Sequence, residues 1–542
     1  MLVSEAVGAT LAGLGAETVF GVVGSGNFHV TNALIANGAR FVAARHECGA
    51  ACAADAWARC TGRVGILSVH QGPGLTNALT GITEAAKSRT PLLVLAADVA
   101  GAAVRSNFRI DVAALAASVG AEADRLYSPA TAAADAARAY RSAQRQRRTV
   151  VLAMPLDVQA AQCDPPRIPP APALAPPAPA PEAAARLAQA LTEAERPVFV
   201  AGRGARAART PLEELADACG ALLATSAVAK GLFHGSPWDL GVSGGFASPL
   251  TAELITAADL VVGWGSSLNM WTMRHGKLIG PGARVAQVDD DSAAIGAHRQ
   301  VDIAVHGDVA QTARVVLAGV RPQPGYRSGE LGARIAREVR WRDVPYDDQG
   351  GDGVIDPRTV TIALDDLLPA ERVVAVDSGN FMGYPSMFLS VPDEHAFCFT
   401  QAYQSVGLGL ASAIGAALAQ PGRLPVAALG DGGALMGVSE LETVVRLGLP
   451  MVIVIYDDEA YGAEVHHFSP DGFPVDIVEF PPADIAAIGR GFGCAGVTVR
   501  GPGDLGQVRD WLTGPRDRPL VIDAKIASAR GSWWLGEAFR GH

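Results

Sequence analysis

Short apolar runs rich in β-branched residues alternate along this chain with longer Ala-rich segments of helical character. Runs at Thr18–Val22, Arg40–Ala43, Gly65–Val69 and Pro91–Ala96 predict strands in the first third. Pro197–Ala201, Leu260–Trp264 and Arg284–Val288 predict strands in the middle, and Val373–Val376, Pro425–Leu429, Met451–Tyr456 and Pro519–Ile522 in the last third. Strands separated by helical segments are the pattern of a mostly parallel α/β sheet. Two punctuated stretches interrupt it. Cys163–Glu182 reads CDPPRIPPAPALAPPAPAPE, a Pro/Ala linker unfit for a helix or a central strand, and Arg321–Pro357 is rich in Pro and Gly around one amphipathic helical piece near Leu331–Trp341. The expected fold class is therefore α/β, with three doubly wound, mostly parallel-sheet domains over residues 1–162, 182–321 and 352–535. The outer two look alike in layout.

Composition narrows the function classes. The chain has 542 residues, of which 49% are hydrophobic and 18% charged, enough apolar material for several buried sheets and a subunit interface. A formal net charge of −11 with no Lys/Arg cluster argues against a nucleic-acid partner, because phosphate binding needs a positive footprint. Glu5 and Glu17 near the start do not fit a secretory leader, and runs such as Pro91–Ala97 and Pro450–Tyr456 are too short to span a bilayer. A soluble, cytoplasmic protein is expected. Cys48, Cys52 and Cys60 share one predicted helix, but no second cysteine or histidine pair completes a zinc pattern, so reduced core thiols are expected.

The strongest chemical signal is in the last third. The strand LPVAALG runs directly into Gly430-Asp431-Gly432-Gly433, followed by a predicted helix over Gly437–Leu447. A second strand, MVIVIY, then leads into Asp457-Asp458-Glu459-Ala460-Tyr461-Gly462, which places Asp431 and Asp458 27 residues apart. Ends of neighbouring parallel strands open on one sheet edge, so the two carboxylates can converge on a single cation. Glycines beside Asp431 would let a phosphate approach the backbone at the following helix N-terminus. Carboxylate, carbonyl and phosphate oxygens are hard donors suited to magnesium or calcium. A lone GDG turn would read as solvated acids at a strand end; the intervening strand–helix–strand is what favours the cation site.

These segments resemble the motif of the thiamine diphosphate-dependent enzymes. The usual motif ends in Asn-Asn where this chain has Asp457-Asp458. The resemblance implies that Asp431, Asp458 and the Ala460 carbonyl hold Mg2+ (or Ca2+), and that Gly430, Gly432, Gly433, Tyr461 and Gly462 lie against the cofactor. Asp in place of Asn keeps the oxygen donor and adds a negative charge.

The first third resembles the complementary half. Arg45-His46-Glu47, after a strand and opening an Ala-rich helix, is similar to the family's catalytic glutamate segment. There Glu47 would exchange a proton with N1′ of the aminopyrimidine, a task that suits a buried, partly protonated carboxyl group; taken alone it also fits a helix N-terminal acid. Val19–Gly26 resembles the first turn, with Gly24 beside the cofactor and Ser25 facing substrate. His70-Gln71-Gly72-Pro73-Gly74-Leu75-Thr76-Asn77 resembles the Gly-Pro-Gly turn, with Pro73 and Asn77 at the cofactor and His70 at the position where benzoylformate decarboxylase, unlike acetohydroxyacid synthases, has His. Asp377-Ser378-Gly379-Asn380 resembles the diphosphate-side turn, with Ser378 and Asn380 as cofactor contacts. Gln404-Ser405-Val406-Gly407 resembles the segment whose bulky residue wedges the cofactor into a V; Val406 is a small wedge. Glu464 and His467 fall on the helix that lines the substrate pocket in this family, although a solvated helix face also fits Glu464. The Phe108 or Asn107 position, where many acetolactate synthases have Gln, weakens a plain synthase assignment.

The resemblance covers nearly the whole chain and implies three domains in the order pyrimidine, middle Rossmann-like, diphosphate. The activity it implies is decarboxylation of a 2-oxo acid with transfer of the acyl anion to a second carbonyl. Non-ligating decarboxylation or benzaldehyde lyase-like cleavage is the alternative. Implied partners are small 2-oxo acids and aldehydes or ketones, and a second copy of the chain. A homodimer or homotetramer with the site at the subunit interface is expected, without nucleic acid or membrane. FAD is not expected in the middle domain, because Gly202-Arg203-Gly204 and Gly265–Gly276 lack a clean flavin-type sequence.

Overall fold

The computed structural model describes residues 1–167, 172 and 174–538, so part of the Pro/Ala stretch lies outside the described residues. The first sheet contains β1 (Thr18–Gly21), β2 (Arg40–Ala43), β3 (Gly65–Val69), β4 (Leu92–Asp98), β5 (Glu122–Arg125) and β6 (Thr149–Pro155), in the order β2-β1-β3-β4-β6-β5. The middle sheet is built from β7 (Pro197–Ala201), β8 (Leu222–Thr225), β9 (Asp239–Val242), β10 (Leu260–Trp264), β11 (Arg284–Asp289) and β12 (Ile303–His306), ordered β12-β11-β10-β7-β8-β9. The third has β13 (Arg372–Val376), β14 (Phe397–Phe399), β15 (Leu424–Gly430), β16 (Val452–Asp457), β17 (Ala495–Val499) and β18 (Leu520–Lys525), ordered β14-β13-β15-β16-β18-β17. The first and third sheets thus share one topology, while the middle sheet has a different winding. Pairings within all three are parallel. The α/β class with three parallel-sheet units read from the sequence is the observed architecture.

The chain reads this way because the central strands are buried on both faces: β3, β4, β7, β10, β13 and β16 are buried along their whole length. Helices α1 (Glu47–Thr61) and α2 (Pro73–Lys87) cover one face of the first sheet, and α3 (Gly409–Ala419) covers the third. α1 lies between α2 and α3, which joins the outer domains. Small residues make this close approach possible. A Cβ on Gly415 would collide with the Ala53 carbonyl, and one on Gly81 would lie 2.6 Å from the Ala51 methyl. Polar bonds cross the same seam: Arg59 donates to the Phe399 carbonyl at 2.9 Å and Gln420 to the Cys60 carbonyl at 3.0 Å.

Two helix expectations are corrected. The glycines after Asp431 do not delay the helix to Gly437: α4 (Asp431–Met436) starts at the aspartate itself, and α5 (Glu440–Arg446) comes after a break at Gly437–Ser439. Gly432 and Gly433 are needed there for close packing, which outweighs their poor helix propensity. The amphipathic piece runs over Gly329–Glu338, capped by Ser328, and its predicted end at Trp341 is a separate short 3-10 turn, Trp341–Asp343. Helix α6 (Gly462–Phe468) completes the elements around the site. Among the described residues no helix is long and apolar enough to cross a membrane, and all seven cysteines are free thiols.

Candidate active site

Two groups of predicted residues form at the carboxyl edges of the outer sheets. In the third domain, β15 ends at Gly430 and delivers Asp431 into the first turn of α4, while β16 ends at Asp457 and delivers Asp458 beside it. Both acids are short of water. Burial and then the Asp458 and Asp457 charges push the Asp431 carboxyl up to about 8. Burial also pushes Asp458 up to about 6, against a hydrogen bond from Asn380 that favours its charged form. The Ala460 carbonyl stands next in line on a fixed loop. Tyr461 N–H donates to the Val478 carbonyl at 2.9 Å, Phe480 N–H donates to the Glu459 carbonyl at 2.8 Å, and neither bond uses Ala460.

Glycines shape the cradle. A Cβ on Gly432 would meet the Tyr461 ring at 2.7 Å, one on Gly462 would collide with the Asp458 carboxylate, and one on Gly433 would collide with Asp377 and lie 3.3 Å from Val406. Only Gly admits these approaches. Two carboxylates and a main-chain carbonyl are the hard oxygen set a divalent cation takes, and a glycine-rich turn from a strand into a helix N-terminus is the kind of backbone that takes a phosphate. The residues present therefore fit both groups. Asn380 ties this loop to the chain end: its Oδ1 accepts from Ser532 N–H at 3.0 Å, and its carbonyl accepts from Ser532 Oγ at 2.8 Å and Trp534 Nε1 at 3.0 Å.

Val406 sits on a loop held at both sides. Gln404 adopts a left-handed φ of 60° and Gly407 a φ of 92°. The buried Asp377 carboxylate accepts from the N–H groups of Ser378 at 2.8 Å, Gly407 at 3.0 Å and Leu408 at 3.1 Å; burial nevertheless raises it to about 6.

In the first domain, Glu47 opens α1 and accepts from Asn77 Nδ2 of α2 at 3.1 Å. His70 Nδ1 accepts from Gly26 N–H at 3.1 Å, which leaves the ring proton on Nε2. Gly24 is required beside it, since a Cβ there would lie 2.7 Å from the His70 ring. Pro73 starts α2 after Gly72 at φ 66°. Ser25 is exposed, and Glu47 is only half-buried, short of the apolar burial expected of it. Glu464 is likewise exposed on the first turn of α6, with Gly462 buried and His467 half-buried nearby. Among the described residues no hydrogen bond joins Ser25, Glu47, His70 or Asn77 to Asp431 or Asp458.

Sequence reasoning missed three groups. Glu440, buried at the start of α5, accepts from the N–H groups of Arg45 at 3.0 Å and His46 at 3.1 Å, fixing the turn into Glu47. Glu84 of α2 reaches the Val406 loop. Lys525 pairs with Asp457 and lies 3.4 Å from Asp523, all three buried. An acid one step from the end of a continuous apolar strand, as in VIDAK, was the available signal for the last.

Comparison with known proteins decides the family. A profile described as thiamine pyrophosphate enzyme, N-terminal TPP binding domain, matches residues 1–115, the central domain of the same family matches 184–316, and its C-terminal TPP binding domain matches 377–524. The chain belongs to the thiamine pyrophosphate enzymes. A probable 2-ketoarginine decarboxylase of Pseudomonas aeruginosa is 32% identical over 96% of this chain and 93% of its own length. An acetolactate synthase large subunit of Parasynechococcus marenigrum is 28% identical, covering 90% and 81%. A sulfoacetaldehyde acetyltransferase of Castellaniella defragrans is 27% identical, covering 93% and 89%. This thiamine pyrophosphate-dependent chain is thus an enzyme of the decarboxylase/carboligase kind.

Proposed function

We propose that this enzyme decarboxylates a 2-oxo acid and passes the acyl anion to a second carbonyl. The observation that carries the reading is the pair Asp431, buried, and Asp458, half-buried, at adjacent strand ends over a turn that only glycine can form. Asp431, Asp458 and the Ala460 carbonyl hold Mg2+ (or Ca2+), which neutralises the diphosphate and the carboxylates that otherwise repel it. Ser378, Asn380, Gly430, Gly432, Gly433, Tyr461 and Gly462 surround the diphosphate side; Val406, with Gln404 beside it, supports the bend of the cofactor. Thiamine diphosphate supplies the carbon nucleophile and the electron sink.

The chain's own residues bind, orient and move protons. Glu47, steadied by Asn77 and by the Glu440-anchored turn, exchanges a proton with N1′ of the aminopyrimidine beside Gly24 and Pro73. His70 meets the substrate as a neutral donor through Nε2–H, since Nδ1 is already engaged by Gly26. Ser25 and His467 border the same pocket, and Glu464 supplies a proton at its mouth. No flavin is assigned to the middle domain.

A second copy completes the site in this reading. Val23, Phe28 and Phe108 are exposed around the first group, and Leu435, Met436 and Phe468 around the second. Apolar side chains exposed at both half-sites mark an interface, and a homodimer or homotetramer would bury Glu47 and Glu464 together. A cytoplasmic location is part of the same proposal.

A second reading, release of the product as an aldehyde without ligation, is favoured by the 32% identity to a probable 2-ketoarginine decarboxylase and by an acid at position 464. Full-length protein with thiamine diphosphate and Mg2+, offered a panel of 2-oxo acids with and without aldehyde acceptors, tests both. Carbon dioxide release with a ligated product by mass spectrometry is expected; aldehyde alone supports the second reading, and no carbon dioxide from any acid refutes both.

A further inference from the structure

Helix α2 carries a buried acid that none of the roles above uses. Glu84 is 1% exposed, and its carboxylate reaches across the seam into the third domain. Oε2 accepts from Tyr403 N–H at 2.7 Å and Oε1 from Ala402 N–H at 3.2 Å. The same carboxylate is held on its own side by Arg59 at 2.8 Å and Ser88 at 3.2 Å. Arg59 is itself fixed by Asp55 at 2.7 Å and by the Phe399 carbonyl, four residues before Tyr403.

The two N–H groups taken by Glu84 lie just before Gln404, whose left-handed φ a non-glycine residue keeps only when its surroundings dictate it. Asp377 takes the N–H groups of Gly407 and Leu408 just after Val406. Residues 404–406 are therefore strung between two buried carboxylates, one from each outer domain. Lys87, one turn beyond Glu84, stands over the Tyr403 ring at 5.7 Å and closes the loop from the same helix. Burial works to raise the Glu84 carboxyl, but Arg59 and the two N–H groups outweigh it and hold it below the usual carboxylate range, so it stays ionised as an acceptor.

We propose that Glu84 is a positioning residue for Val406: an ionised anchor from the first domain that fixes the loop presenting the wedge to the cofactor. The inference rests on the reading of Val406 as the wedge. Without the anchor the loop relaxes at Gln404, the cofactor still binds through its diphosphate, and its bend is lost. A defect of about 1 Å in such positioning reduces the activated fraction by about 10–100-fold.

The test uses the full chain with thiamine diphosphate and Mg2+. Cofactor binding is read by thermal shift, and cofactor activation by NMR of deuterium exchange at C2 of the bound thiazolium after acid quench. Glu84→Gln is expected to bind with close to wild-type affinity while C2 exchange falls by about 10–100-fold. Glu84→Asp keeps the charge and the Arg59 pair but withdraws the carboxylate from Tyr403; it is expected to fall in the same direction, and it decides the question should Glu84→Gln fail to fold. Asp135→Asn is the matched control, a buried carboxylate beneath the opposite face of the first sheet that accepts from Tyr127 N–H at 3.0 Å and Thr131 Oγ1 at 2.8 Å. It should lower the melting temperature and leave C2 exchange unchanged. Wild-type exchange in a folded Glu84 variant, or an equal fall in Asp135→Asn, overturns the proposal while leaving the cofactor reading intact. No thermal shift in the wild type overturns the cofactor reading and this inference with it.

Discussion

Replacing Lys525 by Met should damage the enzyme more than any other single change outside the proposed catalytic groups. The ammonium is 7% exposed, with Asp457 at 2% and Asp523 at 1%. It donates to Asp457, lies 3.4 Å from Asp523 and donates to the Ala483 carbonyl at 2.8 Å. At an effective dielectric near 20, one unit pair at that separation interacts by about 5 kcal/mol. Removing one partner of a buried pair costs about 3–5 kcal/mol, because the remaining charge is stranded. Asp457 Oδ1 also accepts from Glu459 N–H at 3.1 Å, and Glu459 holds a φ of 57°, so the loss reaches the loop carrying Asp458 and Ala460. The pH dependence has a definite sign. Asp523 already titrates near 6, raised first by burial and then by Asp457, with Lys525 opposing. A group whose folded value lies above its unfolded one gives stability at low pH and loses it as pH rises through the folded value. Without Lys525 that folded value climbs further. The extra deficit of Lys525→Met should therefore open as pH rises through about 6, where the wild-type carboxyl finishes titrating, and grow until pH passes the variant's higher folded value. Denaturation of the apo protein at pH 5 and pH 8 reads it. Lys525→Met, Asp457→Asn and the double variant complete a cycle in which the double variant recovers most of the loss. Additivity within about 0.5 kcal/mol would show that the three groups do not act as one cluster.

Three further outcomes are expected. Glu47→Gln should keep cofactor binding by thermal shift while C2 exchange falls by about 10²–10⁴-fold; normal exchange would remove Glu47 from proton transfer. Asp431→Ala should abolish the Mg2+-dependent shift and Asp458→Asn should keep it, and in wild type the shift should grow from pH 6 to pH 8, since the cation binds the ionised forms of groups raised to about 6 and about 8; a shift flat across that range would contradict the assigned ligands. Glu464→Gln should reduce aldehyde more than ligated product from one 2-oxo acid, and an unchanged rate and product ratio would place Glu464 outside the chemistry.

Asp431 and Asp458 were legible because each acid stands directly after an apolar strand that the sequence marks clearly, and parallel pairing of β15 with β16 brings those strand ends side by side. Glu47 and Asn77 were legible only through the resemblance of their segments to the family. Glu440 and Glu84 were not. Their partners stand 395 and 319 residues away, and nothing local to either acid distinguishes an interdomain acceptor from a solvated helix residue. The start of α4 was missed because two glycines in a row argue against a helix, while contact with Tyr461 and Asp377 demands them. Propensity is a local quantity, and here a tertiary one decided.

The glycine and alanine seam of α1 with α2 and α3 has a mechanical consequence. Helices whose main chains touch at Ala53 and Gly415 have no side-chain layer between them to shear or repack. The outer domains of one chain therefore move as a single body, and a hinge between them is closed off as a way to admit substrate. Filling cavities at the seam is likewise closed to anyone seeking a hardier enzyme, so stabilising substitutions belong in the middle domain and on the surface.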